Sequence, residues 1–483
     1  MLHICAVHNA RFGSEPRCTV LGNPLRDVRR QRAVGVACSS HPWLSAVFTL
    51  LMAVCDIAFV GAGSVVFTRE LLFDILSMPE LRTASLRLYD IDAERLQTAE
   101  LMARRVAEQV GAAPEVSVHT ELDSALDGVD FVINAVAVGG HEATRIDFDV
   151  PAAFGLRQTI GDTLGIGGIF RALRTFPVLD QIATTMTRVC PDAWLLNYTN
   201  PMSMNLSYLA ARHPSVNALG LCHSVFWTVS DMNNLLGLPY ESTVYEAAGV
   251  NHQAWLLTWE HQGKDVYPLL DAAIDADENL RRRVRVDMYR RVGRYPTETS
   301  EHSSEYLPWY LKSDAEIARL RIPVGAYLEI SADNLAEYQR TREELLAGAA
   351  LVPPDATEYA PQVIHAMTTD TPRQIHATVA NHGLLPQLQT GLGVEVPTLI
   401  DGSGAHPKAM GSVLPRMGAA LNRSFLNVVD LVTAAAVEGD AALVRQAAYV
   451  DPNAAASLTL PVIDEMVSAM ITAHSQRLPA WLR

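Results

Sequence analysis

Asp56-Ile57-Ala58-Phe59-Val60-Gly61-Ala62-Gly63-Ser64 decides the fold. Five residues that suit a buried strand run into two closely spaced glycines, and a helical pattern follows from Val65 to Leu76. Gly61 and Gly63 allow a tight turn and let the backbone approach a pyrophosphate, which sits on the helix N-terminus beside Ser64. The third glycine of the usual fingerprint is absent; Val66 or Phe67 falls near its place. Leu86-Arg87-Leu88-Tyr89-Asp90 reads as a second strand ending in an acid, 29 residues after Gly61 and placed to bind adenosine ribose hydroxyls. A helix over Ala93 to Val110, a strand over Val116 to His119 and another over Asp130 to Val136 complete a β-α-β-α-β order. That order predicts an N-terminal Rossmann-like, doubly wound parallel sheet over residues 52–245. A flavodoxin-like α/β domain without a dinucleotide is the other reading of the same pattern.

The chain has 483 residues, 38 Lys plus Arg and 53 Asp plus Glu, so its net charge is −15. Free nucleic acid and anionic membranes are poor partners for such a surface. Six cysteines without close pairs fit no disulfide framework, which favours a reducing, cytoplasmic setting. Residues 1–51 hold three of those cysteines and several arginines but show no helix or strand period. We read them as a poorly structured extension upstream of a natural start at Met52. Trp43 to Val54 is apolar but too short to span a bilayer, and no transmembrane segment is expected. Residues 246–483 mix helical runs, such as Asp314 to Leu320 and Leu335 to Leu346, with strand-like runs over Gln374 to Ala380, Leu392 to Val396 and Thr398 to Asp401. They are expected to form a C-terminal α+β domain for substrate binding and oligomerisation.

Three polar clusters follow apolar stretches: Asn197-Tyr198-Thr199-Asn200-Pro201, Cys222-His223-Ser224-Val225 and Gly249-Val250-Asn251-His252. Strands that end in such residues place side chains at the carboxyl edge of a sheet, where ligands bind. Two readings stand for Cys222 and His252. One is a small buried thiol and a satisfied core histidine. The other is an open divalent-metal site, for example for Mn²⁺, that substrate oxygens complete. The segment Tyr295 to Tyr306 is dense in ionisable residues beside Ser and Thr. It reads either as a solvated helix start capped by Thr299 or Ser300, or as part of a site.

Taken in chain order, Phe59 to Ser64, Asn197 to Pro201, Cys222 to Val225 and Gly249 to His252 resemble glycoside hydrolase family 4, and the resemblance covers roughly residues 54 to 420. It implies NAD⁺, a divalent metal (usually Mn²⁺) and a homodimer or homotetramer. It also implies hydrolysis of a small glycoside by oxidation at C3, elimination and addition of water. Carried over by motif, Cys222 and His252 are metal ligands, Asn200 contacts the sugar near C2 and C3, and Asn134 faces the nicotinamide. Asp162 belongs to a Gly-rich substrate loop. The Cys-His-Ser-Val form looks like the α-galactosidase branch, with α-glucosidase and α-uronidase as relatives. The acid that the phosphosugar branch carries after its Cys is replaced here by His223, which becomes the expected general acid. Glu298, His302 and Tyr306 are the candidates for the base. A lactate- or malate-type 2-hydroxy acid dehydrogenase shares the glycine turn but needs no metal Cys, and an NAD-binding regulator needs no cluster at Glu298 to His302.

Overall fold

The computed structural model describes residues 55–353 and 358–483. The expected extension at 1–51 lies outside the described residues. Six parallel strands form one half of a single sheet: β1 (Asp56–Val60), β2 (Ser85–Tyr89), β3 (Glu115–His119), β4 (Phe131–Asn134), β5 (Trp194–Asn197) and β6 (Asn217–Leu221). Their spatial order is β3-β2-β1-β4-β5-β6, the doubly wound order expected from the sequence. Four of the five residues of β1 and all four of β4 are buried, as parallel strands covered on both faces must be. The helix Ala93–Val110 has the bounds its pattern predicts. Asp92 caps it by accepting from the N–H groups of Glu94 and Arg95, and Gly111 closes it at φ +68°.

The later strands do not build a separate sheet. They are β7 (Thr243–Val250), β8 (Gln253–His261), β9 (Lys264–Asp265), β10 (Tyr295–Pro296), β11 (Arg373–Ala380), β12 (Gly393–Asp401) and β13 (Gly404–Pro407). β11 pairs antiparallel with β6, and the sheet continues through β12, β7, β8 and β10 to 13 strands in all. The expected boundary at 245/246 therefore falls inside β7. The outer edge of β6 exposes unpaired backbone groups, and the C-terminal segment satisfies them with β11.

One apolar core runs from Cys55 to Leu482, and a smaller cluster around Val225, Val229, Trp259 and Leu270 lies under β7 and β8. Among the described residues the helix Arg416–Glu438 is long and apolar enough to cross a membrane. Here its inner face packs into the core, and buried Asn422 accepts from Trp255 Nε1 at 2.8 Å and donates to the Gln253 carbonyl.

Candidate active site

The glycine turn is closely packed by its own chain. Gly61 has φ +84°, and a Cβ there would meet the Val136 nitrogen at 3.0 Å. A Cβ on Gly63 would lie 2.5 Å from Arg95 Cβ and 2.7 Å from Asp90 Oδ2, so only glycine fits. Ser64 precedes the helix Val65–Ser77 without capping it through its side chain, which leaves the first N–H groups for an anion. Asp90 Oδ2 accepts from Gly63 N–H at 2.8 Å, and Oδ1 accepts from Asp92 N–H. The acid thus fixes the glycine turn. Asn134 is fully buried at the end of β4. Its amide donates to Asn197 Oδ1 at 2.8 Å and ties the ends of β4 and β5 together.

Cys222 follows β6, and His252 stands in the two-residue turn between β7 and β8. Cys222 Sγ lies 3.3 Å from His252 Nε2, and Glu298 Oε2 lies 3.9 Å from the same nitrogen. The ligand atoms of Cys222, His252 and Glu298 all fall within 4.8 Å of one another, as do those of Asp162, His252 and His302. His252 and Glu298 have φ +67° and +69°, left-handed conformations that cost non-glycine residues energy and cluster at functional sites.

Hydrogen bonds fix the tautomer of His252. Thr163 Oγ1 donates to Asp162 Oδ1 at 2.7 Å, so it accepts from His252 Nδ1–H at 2.8 Å. The lone pair of Nε2 then faces Cys222 and Glu298, as a metal ligand's must. Burial, with the Glu298 carboxylate adding to it, pushes the Cys222 thiol up to about 12. A divalent cation would offset that and draw off the proton. Soft sulfur and imidazole together fit a borderline divalent ion with open positions.

The remaining expected residues mostly converge here. Asn200 Nδ2 donates to Asp162 Oδ2 at 3.0 Å, and Asn200 Oδ1 is buried without a partner. Burial works against the charge of Asp162, but His302, Arg171 and His252 outweigh it and hold the carboxyl below its ordinary range. Glu298 is held low in the same way, against burial, by His252, His302 and Arg285. His302 lies 3.6 Å from Glu298 and 3.7 Å from Asp162. Thr299 does cap the short helix Ser300–Glu305, so the segment is both a helix start and part of the site. His223 Nδ1 lies 3.2 Å from Glu358 Oε2. Burial alone would lower this imidazole, yet the Glu358 hydrogen bond and charge raise it to about 9. The Tyr306 ring stands 6.2 Å from that of His302. It is 1% exposed, packed at 5.3 Å on Phe425, and burial pushes its phenol well above the ordinary value. Glu298, His302 and Tyr306 thus stand together as the candidate bases.

Several functional residues are not singled out by the sequence. Glu305 accepts from the N–H groups of Thr159, Ile160 and Gly161 and so holds the loop that carries Asp162. Arg171 reaches within 4.0 Å of Asp162 from the helix Gly165–Val189. Glu395 accepts from Asn251 Nδ2 at 3.0 Å, beside the turn of His252. A lone acid inside the apolar run Gly393-Val394-Glu395-Val396 is a signal that could have found it.

The family model "Family 4 glycosyl hydrolase" matches residues 56–238, and that of its C-terminal domain matches residues 247–454. The chain belongs to family 4 of the glycosyl hydrolases. This membership removes the dehydrogenase and regulator alternatives. The family 4 chain is 36% identical over 430 residues to an alpha-galactosidase of Bacillus subtilis, which covers 88% of this chain and 99% of that protein. It is 34% identical over 446 residues to an alpha-galactosidase of Rhizobium meliloti, covering 89% and 90%. Among solved structures, a 6-phospho-alpha-glucosidase from gut microorganisms, in complex with NAD and Mn²⁺, shares the fold with a TM-score of 0.75. The two are 20% identical, over 88% of this chain and 99% of that one.

Proposed function

We propose that this family 4 hydrolase cleaves α-galactosides, using NAD⁺ and Mn²⁺ or another divalent ion. The observation that carries the reading is the convergence of Cys222, His252 and Glu298 with the Asn200–Asp162 pair. Support for the galactosyl group comes from the two alpha-galactosidase relatives and from the sequence Cys222-His223-Ser224-Val225.

The glycine turn and the uncapped helix at Ser64 would hold the dinucleotide, and Cys222 with His252 would hold the metal. When bound, the dinucleotide supplies a hydride acceptor and the ion a Lewis acid. The chain's own residues do the rest. Asn200 presents its buried, unpartnered carbonyl oxygen to a sugar hydroxyl, and Asp162 accepts a second. A C2–H activated by a neighbouring carbonyl needs a nearby base. Glu298, held ionised beside His302, is that base and takes the C2 proton on its carboxylate. His223, oriented by Glu358, carries the proton given to the leaving oxygen.

Turnover of p-nitrophenyl α-galactoside, α-glucoside and α-glucuronide with NAD⁺ and Mn²⁺ tests the assignment. The α-galactoside is expected to give the highest kcat/KM, without net accumulation of absorbance at 340 nm. A preference for either other glycoside, or stoichiometric NADH release, would overturn it.

A further inference from the structure

Glu395 is an acid where its strand calls for an apolar residue. It stands in the middle of β12 between Val394 and Val396, and all three are fully buried. A carboxyl buried in this way costs stability unless it is paired. Here Oε1 accepts from Asn251 Nδ2 at 3.0 Å, and Oε2 has no hydrogen-bond partner among the described residues. A residue that breaks the rule of its own strand and stays half-satisfied points to function rather than to packing.

That one bond reaches the turn that carries His252. Glu395 pairs with Gly249 of β7, and β7 and β8 turn at Asn251-His252. The φ of +67° at His252 is not one that histidine prefers, so the surroundings have to impose it. Asn422 braces the turn from one side by donating to the Gln253 carbonyl at 2.8 Å, and Glu395 braces it through buried Asn251. An ionised carboxylate only accepts, so Glu395 also decides that the NH₂ end of the Asn251 amide faces it. Burial raises the Cys222 thiol, and an N–H of the same amide works against that rise, favouring the thiolate that a metal requires. Glu395 thus acts on both members of the Cys222–His252 pair, 3.3 Å apart, through one neighbour.

We propose that Glu395 is a positioning residue: through Asn251 it holds the turn that aims His252 at Cys222 and so prepares the pair for a divalent ion. The inference rests on the metal reading of that pair.

Co²⁺ is the probe, because its bond to the Cys222 sulfur gives a charge-transfer band that Cys222→Ser should remove. The full chain, without substrate, is titrated with Co²⁺ as wild type, Glu395→Leu, Glu395→Gln, Asn251→Ala and the double variant of Glu395→Leu with Asn251→Ala. Glu395→Leu should bind Co²⁺ at least about tenfold more weakly. Glu395→Gln still offers Asn251 an acceptor and should recover most of the affinity. Asn251→Ala should match Glu395→Leu, and the double variant should be no weaker than either, because the two residues act in series. NAD⁺ binding, followed by fluorescence, should stay near wild type throughout. Unchanged Co²⁺ affinity in Glu395→Leu overturns the proposal; if that variant does not fold, unchanged affinity in Asn251→Ala does so. Additive losses in the double variant also overturn it. So does a Glu395→Gln that binds as poorly as Glu395→Leu, or an equal fall in NAD⁺ affinity, either of which marks a merely structural role. A wild type without the band, or a band that survives Cys222→Ser, refutes the metal reading and this inference with it; the other outcomes leave that reading standing.

Discussion

Thr163 sits behind His252 and decides which of its nitrogens faces Cys222. A metal ligand held by such a partner typically loses 10–100-fold in metal affinity when the partner goes. Thr163→Val is therefore expected to weaken Mn²⁺ binding by about that factor, and Thr163→Ser to retain it, as read by calorimetric titration of the protein. Cys222→Ser and His252→Ala should abolish metal-dependent turnover while NAD⁺ binding, followed by fluorescence, stays near wild type, because the glycine turn is a separate element. The ligands themselves are legible in the sequence because Cys222 and His252 stand in motifs that end apolar strands. Thr163 orients His252 and Glu358 orients His223, partners far off in the chain, so nothing in their local pattern marks them. Tyr306 lies one residue past the short helix Ser300–Glu305, its ring between Phe425 and His302.

At the scale of elements, the glycine turn and the strand–helix alternation carry the parallel half of the sheet. Periodicity locates β1 to β4 and the helix Ala93–Val110 because each buries an unmistakable apolar face. The expected break between Leu392–Val396 and Thr398–Asp401 does not occur. β12 runs straight through Pro397, whose missing N–H is tolerated opposite His376. His376 makes its own prediction. Burial drives its imidazole down to about 3, and Nε2 accepts from Ala247 N–H at 3.1 Å, next to the irregularity in β7. The unfolded chain takes up this proton near 6.5 and the native chain does not, so the stabilisation is full above pH 6.5 and is lost as pH falls toward 3. The loss amounts to about 1.4 kcal/mol per pH unit from this one group. His376→Gln, which keeps an acceptor and cannot titrate, should flatten the acid limb of urea-unfolding stability measured between pH 6.5 and 4.5. An unchanged slope would remove His376 from the account.

For the whole molecule, a sheet of 13 strands joins what the sequence divides. β7 contains the expected boundary, and the outer edge of β6 depends on β11, more than 150 residues later in the chain. Periodicity within a segment cannot reveal which distant strand covers its edge. Calorimetry of the folded enzyme is expected to give one unfolding transition, and residues 52–245 expressed alone should fail to form a cooperative fold. Two well-separated transitions would contradict a shared core. The same architecture brings Cys222, His252 and Glu298 together. The proposed function puts hydride transfer and proton removal at adjacent carbons of one sugar. Direct displacement at C1 leaves the C2 hydrogen in place, whereas a route through a C3 carbonyl exposes it to exchange through the base. NMR of the sugar released in D₂O reads this directly. Deuterium at C2, with activity lost on removal of NAD⁺, is the predicted result; a fully protonated C2, with full activity after NAD⁺ removal, would contradict it.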